Sequence, residues 1–255
     1  MGLGKLRKWL RKQRLKERAS SEEYIAFLRR GGARIGEDVH IYAPTKVVLD
    51  ATNPWLLTIG DHVRITEGVK VLTHDYSWSV LKCCSDEAVA PGAVLGAQSP
   101  VTIGSNVFIG MNAVITRGVT IGDNVVIGAG SIVTHDCPSG GVYGGNPAKR
   151  IMSIGEYFQK RQALQFREAR TLVLAYRERF GVLPAKEVLS EYFMLFSTRE
   201  EAQQNRAFRE KMELLGGFEA TSAYMDSNPP MFPDFETFLQ ACCQDPADSK
   251  PGKTI

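Results

Sequence analysis

The sequence predicts a mainly β protein, a parallel β-helix carrying α-helical segments at both ends. Three observations predict it. Ile103, Ile109, Ile115, Ile121, Ile127 and Val133 follow one another at intervals of six. Glycine comes directly after four of them, at Gly104, Gly110, Gly122 and Gly128. The same rhythm runs earlier through Ile35, Ile41 and Val47, then through Ile59, Ile65 and Val71. Helices repeat near 3.6 residues and strands near 2, so neither explains a period of six. Six-residue units that each give a short strand and a turn do explain it, with the aliphatic residue pointing inward and its equivalents stacked along one axis.

Taken in order, residues 1–32 form a basic helical segment. Lys5, Arg7, Lys8, Arg11, Lys12, Arg14, Lys16 and Arg18 crowd its start against one acid, Glu17, so the rest of the chain is mildly acidic. Leu3, Leu6, Trp9, Leu10 and Leu15 lay an apolar stripe through it. Such a stripe over residues 3–18 suits peripheral contact with an anionic membrane surface, and equally suits packing on the protein's own body; its shortness favours packing. Ser20 or Ser21 ahead of Glu22 and Glu23 reads as a helix cap. Residues 33–150 carry the repeat. Residues 151–255 lose it and become helical in pattern: Glu156 to Phe180 ended by Gly181, Arg199 to Leu215 ended by Gly216, and a short helix near Phe235 to Cys242. The tail from Asp245 is polar.

The repeat breaks once. From Val71 the next aliphatic in phase is due near Ser77, but a stretch of about residues 75–100 leaves the pattern and Ile103 resumes in another phase. A loop of that length in a compact domain is a functional candidate. It opens with Thr73-His74-Asp75-Tyr76-Ser77-Trp78.

Composition narrows the classes. No run of about 18 apolar residues exists, so no transmembrane helix is expected, and the start shows no signal-peptide pattern. Five cysteines, four of them in adjacent pairs (Cys83-Cys84 and Cys242-Cys243), give neither disulfide nor zinc spacing. Neighbouring thiols suit a reducing cytoplasm, at most peripheral to the membrane's inner face. No motif supports nucleic-acid binding.

The repeats Ile103-Gly104-Ser105-Asn106-Val107 and Ile121-Gly122-Asp123-Asn124-Val125, the run Ile127 to Thr134, and the closing Gly144-Gly145-Asn146-Pro147-Ala148-Lys149-Arg150-Ile151 resemble the hexapeptide-repeat acyltransferases. Within that family the chain is most similar to the galactoside, maltose and xenobiotic O-acetyltransferases and to capsule O-acetyltransferases. The resemblance covers about residues 33–152, a little under half of the chain. It implies a left-handed coil, an exception to the usual right-handed crossover, with about three hexapeptides per turn. It implies a homotrimer with acetyl coenzyme A in the groove between neighbouring coils, a carbohydrate acceptor, and no metal.

Carried over residue by residue, His74 matches the family's catalytic histidine at the mouth of the loop. The chemistry needs a base there, because a sugar hydroxyl attacks a thioester poorly until a group titrating near neutrality takes its proton. Asp75 is the candidate to orient the ring. Phe108 stands where relatives carry tryptophan beside the active site. Met111, Ala129 and Thr134 match positions lining the pantetheine channel. Lys149 and Arg150 match the basic end of the motif that meets the coenzyme's phosphates. His135 belongs to a second triplet, Thr134-His135-Asp136, where the family typically has lysine, so it reads as a coenzyme contact and not as a second base. Tyr76 and Trp78 are candidates for stacking on a sugar ring or for anchoring the loop. His40 and His62 sit at positions that face outward.

Rival functions fare worse on the residues. A zinc carbonic anhydrase on this fold needs three histidines with two close in sequence, which positions 40, 62, 74 and 135 do not supply. Acyl-carrier-protein-dependent acyltransferases lack this loop. A non-catalytic scaffold has no need of His74 and Lys149. Acetylation of a sugar amine is the nearest alternative to acetylation of a hydroxyl.

Overall fold

The computed structural model describes residues 14–86, 88–89 and 92–244; most of the basic stripe and the tail beyond residue 244 lie outside them. The chain divides into two units, Met1–Tyr157 and Phe158–Ile255, each with its own core.

The first unit is a three-sided coil of parallel strands. One side stacks β1 (Arg34–Ile35), β4 (Leu57–Ile59), β9 (Val101–Ile103) and β12 (Thr120–Ile121). The second stacks β2 (His40–Ile41), β5 (Arg64–Ile65), β10 (Val107–Ile109) and β13 (Val125–Ile127). The third stacks β3 (Val48–Leu49), β6 (Lys70–Val71), β11 (Val114–Ile115) and β14 (Ile132–Val133). The chain visits the sides in this order on every turn. The last full turns keep a spacing of 18 residues, with Ile103 level with Ile121, Ile109 with Ile127 and Ile115 with Val133. These aliphatics are buried and form one core. Each contributes about 1.5–3 kcal/mol by leaving water. Glycine after an inward residue lets adjacent turns approach: a Cβ on Gly110 would stand 2.5 Å from the Ala129 amide nitrogen.

One register differs from the sequence reading. On the first turn it is Leu49, not Val47, that pairs level with Val71. Eight positions separate Ile41 from Leu49, against six from Ile65 to Val71, so the first turn carries two extra residues at that corner. Val47 is buried too, which is why the simple count looked sound.

A coil of this kind exposes unpaired backbone groups at its ends. Helix α1 (Ser21–Arg30) closes the first end. Ser20 caps it, accepting from Glu23 N at 3.2 Å, and Tyr24, Ile25 and Leu28 join the coil's core. The Tyr24 hydroxyl accepts from Leu49 N (3.1 Å) and donates to Leu49 O (3.2 Å). Ser21 Oγ accepts from Ile41 N at 2.9 Å, and Arg18 and Arg29 donate to carbonyls of the first turn. At the other end β15 (Gly141–Gly144) pairs with β13 and then, antiparallel, with β16 (Lys149–Ser153). The Gly144-to-Lys149 motif is the turn between them.

Helix α2 (Ile154–Phe180) leads into the second unit and stops at Gly181, whose φ is +72°. The expected helix from Arg199 to Leu215 is broken. Asn205 adopts an extended conformation, ends α3 (Arg199–Gln204) and caps α4 (Arg206–Met212) through Ala207 N and Phe208 N. Then follow α5 (Phe218–Ser227), which the sequence pattern did not reveal, and α6 (Phe235–Cys243). This core is aromatic, built on Phe193, Phe196, Phe208 and Phe238. Among the described residues no helix is long and apolar enough to cross a membrane.

Candidate active site

The corner between the third and first sides holds the chemistry. After β6 the chain runs through Leu72 and the fully buried Thr73 into a projecting hairpin, β7 (His74–Asp75) against β8 (Ala97–Gln98), with His74 opposite Gln98. Beyond β7 a 3-10 stretch, Ser77–Cys83, is started by Asp75, whose Oδ1 accepts from Ser77 N at 2.6 Å. A cavity of about 590 Å³ opens here, the size of small-molecule sites, lined by Leu72, His74, Asp75, Tyr76, Thr116, Arg117 and Thr134.

His74 is held from below by Asp50. Its Nδ1 lies 2.5 Å from Asp50 Oδ2, and the carboxylate side chain is only 3% exposed. Oδ2 also accepts from Thr73 N (3.0 Å) and Thr73 Oγ1 (2.7 Å), and Oδ1 accepts from Thr52 N (3.0 Å). Burial alone raises the carboxyl's pKa, but the hydrogen bonds from Thr73 and Thr52 outweigh it and hold Asp50 well below the usual carboxylate range. An ionised Asp50 accepts a hydrogen bond from Nδ1–H, which leaves Nε2 as the ring's basic nitrogen.

Asp75, the expected orienting acid, is not that partner. The strand turns its carboxylate to Ser77 N and towards Arg117, whose Nε is 3.9 Å away. Those contacts, the Ser77 amide first, lower its pKa. Adjacent residues of a strand point to opposite faces, so a histidine's neighbour is poorly placed to reach its ring.

Tyr76 lies against the His74 ring, centroids 4.7 Å apart, and is 57% exposed in the cavity wall. Trp78 packs on Tyr76 at 6.3 Å, and its indole nitrogen is buried without a hydrogen-bond partner among the described residues. Thr134 joins the cavity from the last turn. The other candidates stand elsewhere on the coil. Phe108 is exposed on the second side and Met111 and Ala129 are exposed on adjacent turns. His135 is exposed and bonds Thr134 Oγ1 at 2.9 Å. Lys149 and Arg150 are exposed on β16. His40 packs on Tyr42 and His62 pairs with Asp38, both away from the cavity.

Asp50, Thr116 and Arg117 were missed from sequence. The signal for Asp50 was its place directly after an inward aliphatic, level with Leu72, and the two-residue slip on the first turn hid it.

Known proteins resemble the chain as follows. The family model described as hexapeptide repeat of succinyl-transferase matches residues 100–135. A Staphylococcus aureus protein, CapG, is 41% identical over 147 residues, covering 58% of this chain and 79% of that protein. A maltose O-acetyltransferase structure from Clostridium difficile 630 shares 30% identity over 57% of this chain and 81% of its own, with a TM-score of 0.38. A hexapeptide-repeat-containing acetyltransferase of Vibrio cholerae, solved with acetyl coenzyme A, shares 25% identity over 57% and 84%, with a TM-score of 0.39.

Proposed function

This chain belongs to the hexapeptide-repeat acyltransferase family, and on that basis we propose that it moves the acetyl group of acetyl coenzyme A to a sugar hydroxyl during assembly of a surface polysaccharide. The observation that carries this reading is the His74–Asp50 pair at the mouth of a cavity of about 590 Å³.

The acyl donor supplies an activated thioester; the chain's residues handle the proton. Asp50 fixes the ring with Nδ1 protonated. Nε2 takes the hydroxyl proton as the acceptor oxygen bonds to the carbonyl carbon. When the carbon–sulfur bond breaks, His74 returns that proton to the departing sulfur, so the enzyme ends as it began. Asp50 stays ionised and stabilises the transient imidazolium. Tyr76 offers the acceptor ring an aromatic face, and Trp78 supports Tyr76 from behind.

Phe108, Met111, Ala129 and Thr134 would line the donor's arm, and Lys149, Arg150 and His135 would meet its phosphates. These side chains are exposed, which suits a groove completed by a second copy. The working form is then a homotrimer with shared sites, and the family supports a left-handed turn of the coil.

Thiol release from acetyl coenzyme A, measured against a panel of mono- and oligosaccharides with amino sugars included, tests the reading. Release that depends on a neutral sugar is the expected result. Release that depends only on amino sugars moves the reaction to nitrogen, and no sugar dependence at all overturns the reading. Light scattering tests the assembly, and a fully active monomer would exclude the shared site.

A further inference from the structure

The coil breaks its period twice at one corner, on neighbouring turns. Leu49, Val71 and Ile115 share a register position on the third side, and Thr58, Thr102 and Thr120 share one on the first. The chain takes 5 positions from Ile115 to Thr120, 31 from Val71 to Thr102, and 9 from Leu49 to Thr58. The long excursion carries His74. The short one adds four residues to the turn below (9 against 5).

What those residues do is present a tryptophan. The tip is a 3-10 turn, Pro54–Leu56, with Pro54 buried at its first position and Leu56 N donating to Asn53 O at 3.0 Å. The root of Trp55 is seated on Gly32: a Cβ there would come within 3.2 Å of the Trp55 Cβ and 3.6 Å of its Cα. Gly32 has φ +99°, so the seat is made for a residue without a Cβ. Above this fixed root Trp55 is 64% exposed. An indole in water forfeits a large burial energy.

The excursion is also tied to the site. It begins at Asp50, the partner of His74. Asn53 Nδ2 donates to Gln98 Oε1 at 3.0 Å, and Gln98 is the register partner of His74 across the hairpin. Asn53 is half-buried and Gln98 exposed, and their amides offer donors and acceptors to hydroxyl groups.

We propose that Trp55 is a second sugar platform, on which an outlying ring of the acceptor stacks while the reacting sugar lies against Tyr76 and His74. The acceptor class is then an oligosaccharide or polymer rather than a free monosaccharide. A pyranose ring presents a face of C–H groups that suits an aromatic surface, and the rim hydroxyls suit Asn53 and Gln98. This inference rests on the sugar-acceptor reading above.

The test uses the full chain with the monosaccharide that it acetylates best and that sugar's di- to tetrasaccharides. Wild type is expected to show a KM that falls with acceptor length. Trp55→Ala should raise KM for the tetrasaccharide roughly tenfold, the scale of one ring stacked on an aromatic, and leave kcat and the monosaccharide KM unchanged. Trp55→Phe should keep most of the preference. The inference is overturned if wild type shows no length preference, or if Trp55→Ala slows monosaccharide and tetrasaccharide alike. It is also overturned if light scattering shows that Trp55→Ala dissociates the assembly, which puts the indole in an interface. Wild type that acetylates no sugar overturns the sugar reading itself, an outcome separate from length independence.

Discussion

The same three residues occur twice on this coil, Thr73-His74-Asp75 and Thr134-His135-Asp136, and they do different things. Val71 and Val133 are both level with Ile115, so Thr73 lies two positions past the strand and Thr134 only one. The triplets are therefore one residue out of register. In the first, threonine is fully buried and gives both its amide and its hydroxyl to Asp50, and the histidine comes down on the same carboxylate. In the second, threonine faces solvent, and its hydroxyl meets His135 itself. Asp136 spends its carboxylate on Thr120 N at 2.7 Å. Identical side chains gain their roles from the turn beneath them: the first triplet has a buried acid below it, and the second does not.

The difference is broken most directly at the base. His74→Ala should lower kcat by roughly 10²–10⁴, the usual worth of a positioned general base, and leave the KM for acetyl coenzyme A nearly unchanged. Steady-state kinetics of both histidine variants decide it. Loss of turnover in His135→Ala with near wild-type rates in His74→Ala would exchange the two roles.

The next largest effect is expected at Asp50. Asp50→Asn preserves shape but frees the ring to adopt either tautomer, and kcat should fall about 10²-fold, the lower end of a base's worth. The same variant has a stability signature. The folded carboxyl titrates below its unfolded value of about 3.9, so its contribution is complete above that value and is lost as pH falls through the folded pKa. Thermal unfolding between about pH 4 and 2 should therefore be less acid-sensitive in Asp50→Asn than in wild type. Equal acid sensitivity would mean that the carboxylate is not held as the hydrogen bonds indicate.

Asp50 also marks the limit of reading the sequence. The strand-and-turn period was plain from Ile103 to Val133, because those turns contain no insertion and their inward positions are aliphatic except at the buried Ser131. The loop was visible for the opposite reason, as a break in that pattern, and the family resemblance singled out His74 at its mouth. On the first turn two extra residues put Leu49 in the place assigned to Val47. Both are buried and apolar, so composition could not separate them. Counted from Val47, Asp50 has no counterpart near the loop; counted from Leu49, it stands level with Leu72 and under His74. In the second unit Asn205 looked like an ordinary polar residue within a helix, and its role as both terminator and cap came from one side chain bonding two amides. Local pattern records periodic burial well and records contacts between turns poorly.

A smaller effect separates the triplets from the other side. His135 lies on the face proposed for the coenzyme, so His135→Ala should raise the KM for acetyl coenzyme A a few-fold, with kcat at saturation close to wild type. His135→Lys, which restores the family's residue, should bind the donor at least as tightly as wild type, since lysine carries a permanent charge for phosphate. Calorimetric titration with coenzyme A reads both. An unchanged affinity in His135→Ala would remove this residue from the donor site.

The smallest effect belongs to Asp75, and it discriminates most sharply between adjacency and contact. If sequence adjacency made it the orienting acid, Asp75→Asn would cost nearly as much as Asp50→Asn. The structure instead gives its carboxylate to Ser77 N at 2.6 Å and sets it 3.9 Å from Arg117, too far for a hydrogen bond. An asparagine can still accept from the Ser77 amide through its side-chain oxygen, so the loop's entry turn survives. What is lost is an exposed, loosely held ion pair, which is worth little. Turnover in Asp75→Asn should therefore fall less than about fivefold, and the residual difference should shrink at high salt, where exposed pairs are screened. Asp50→Asn should show no such salt dependence, because its carboxylate is buried. Measuring kcat for both variants at low and high ionic strength gives the comparison directly. A loss in Asp75→Asn equal to that in Asp50→Asn, and indifferent to salt, would return the orienting role to Asp75.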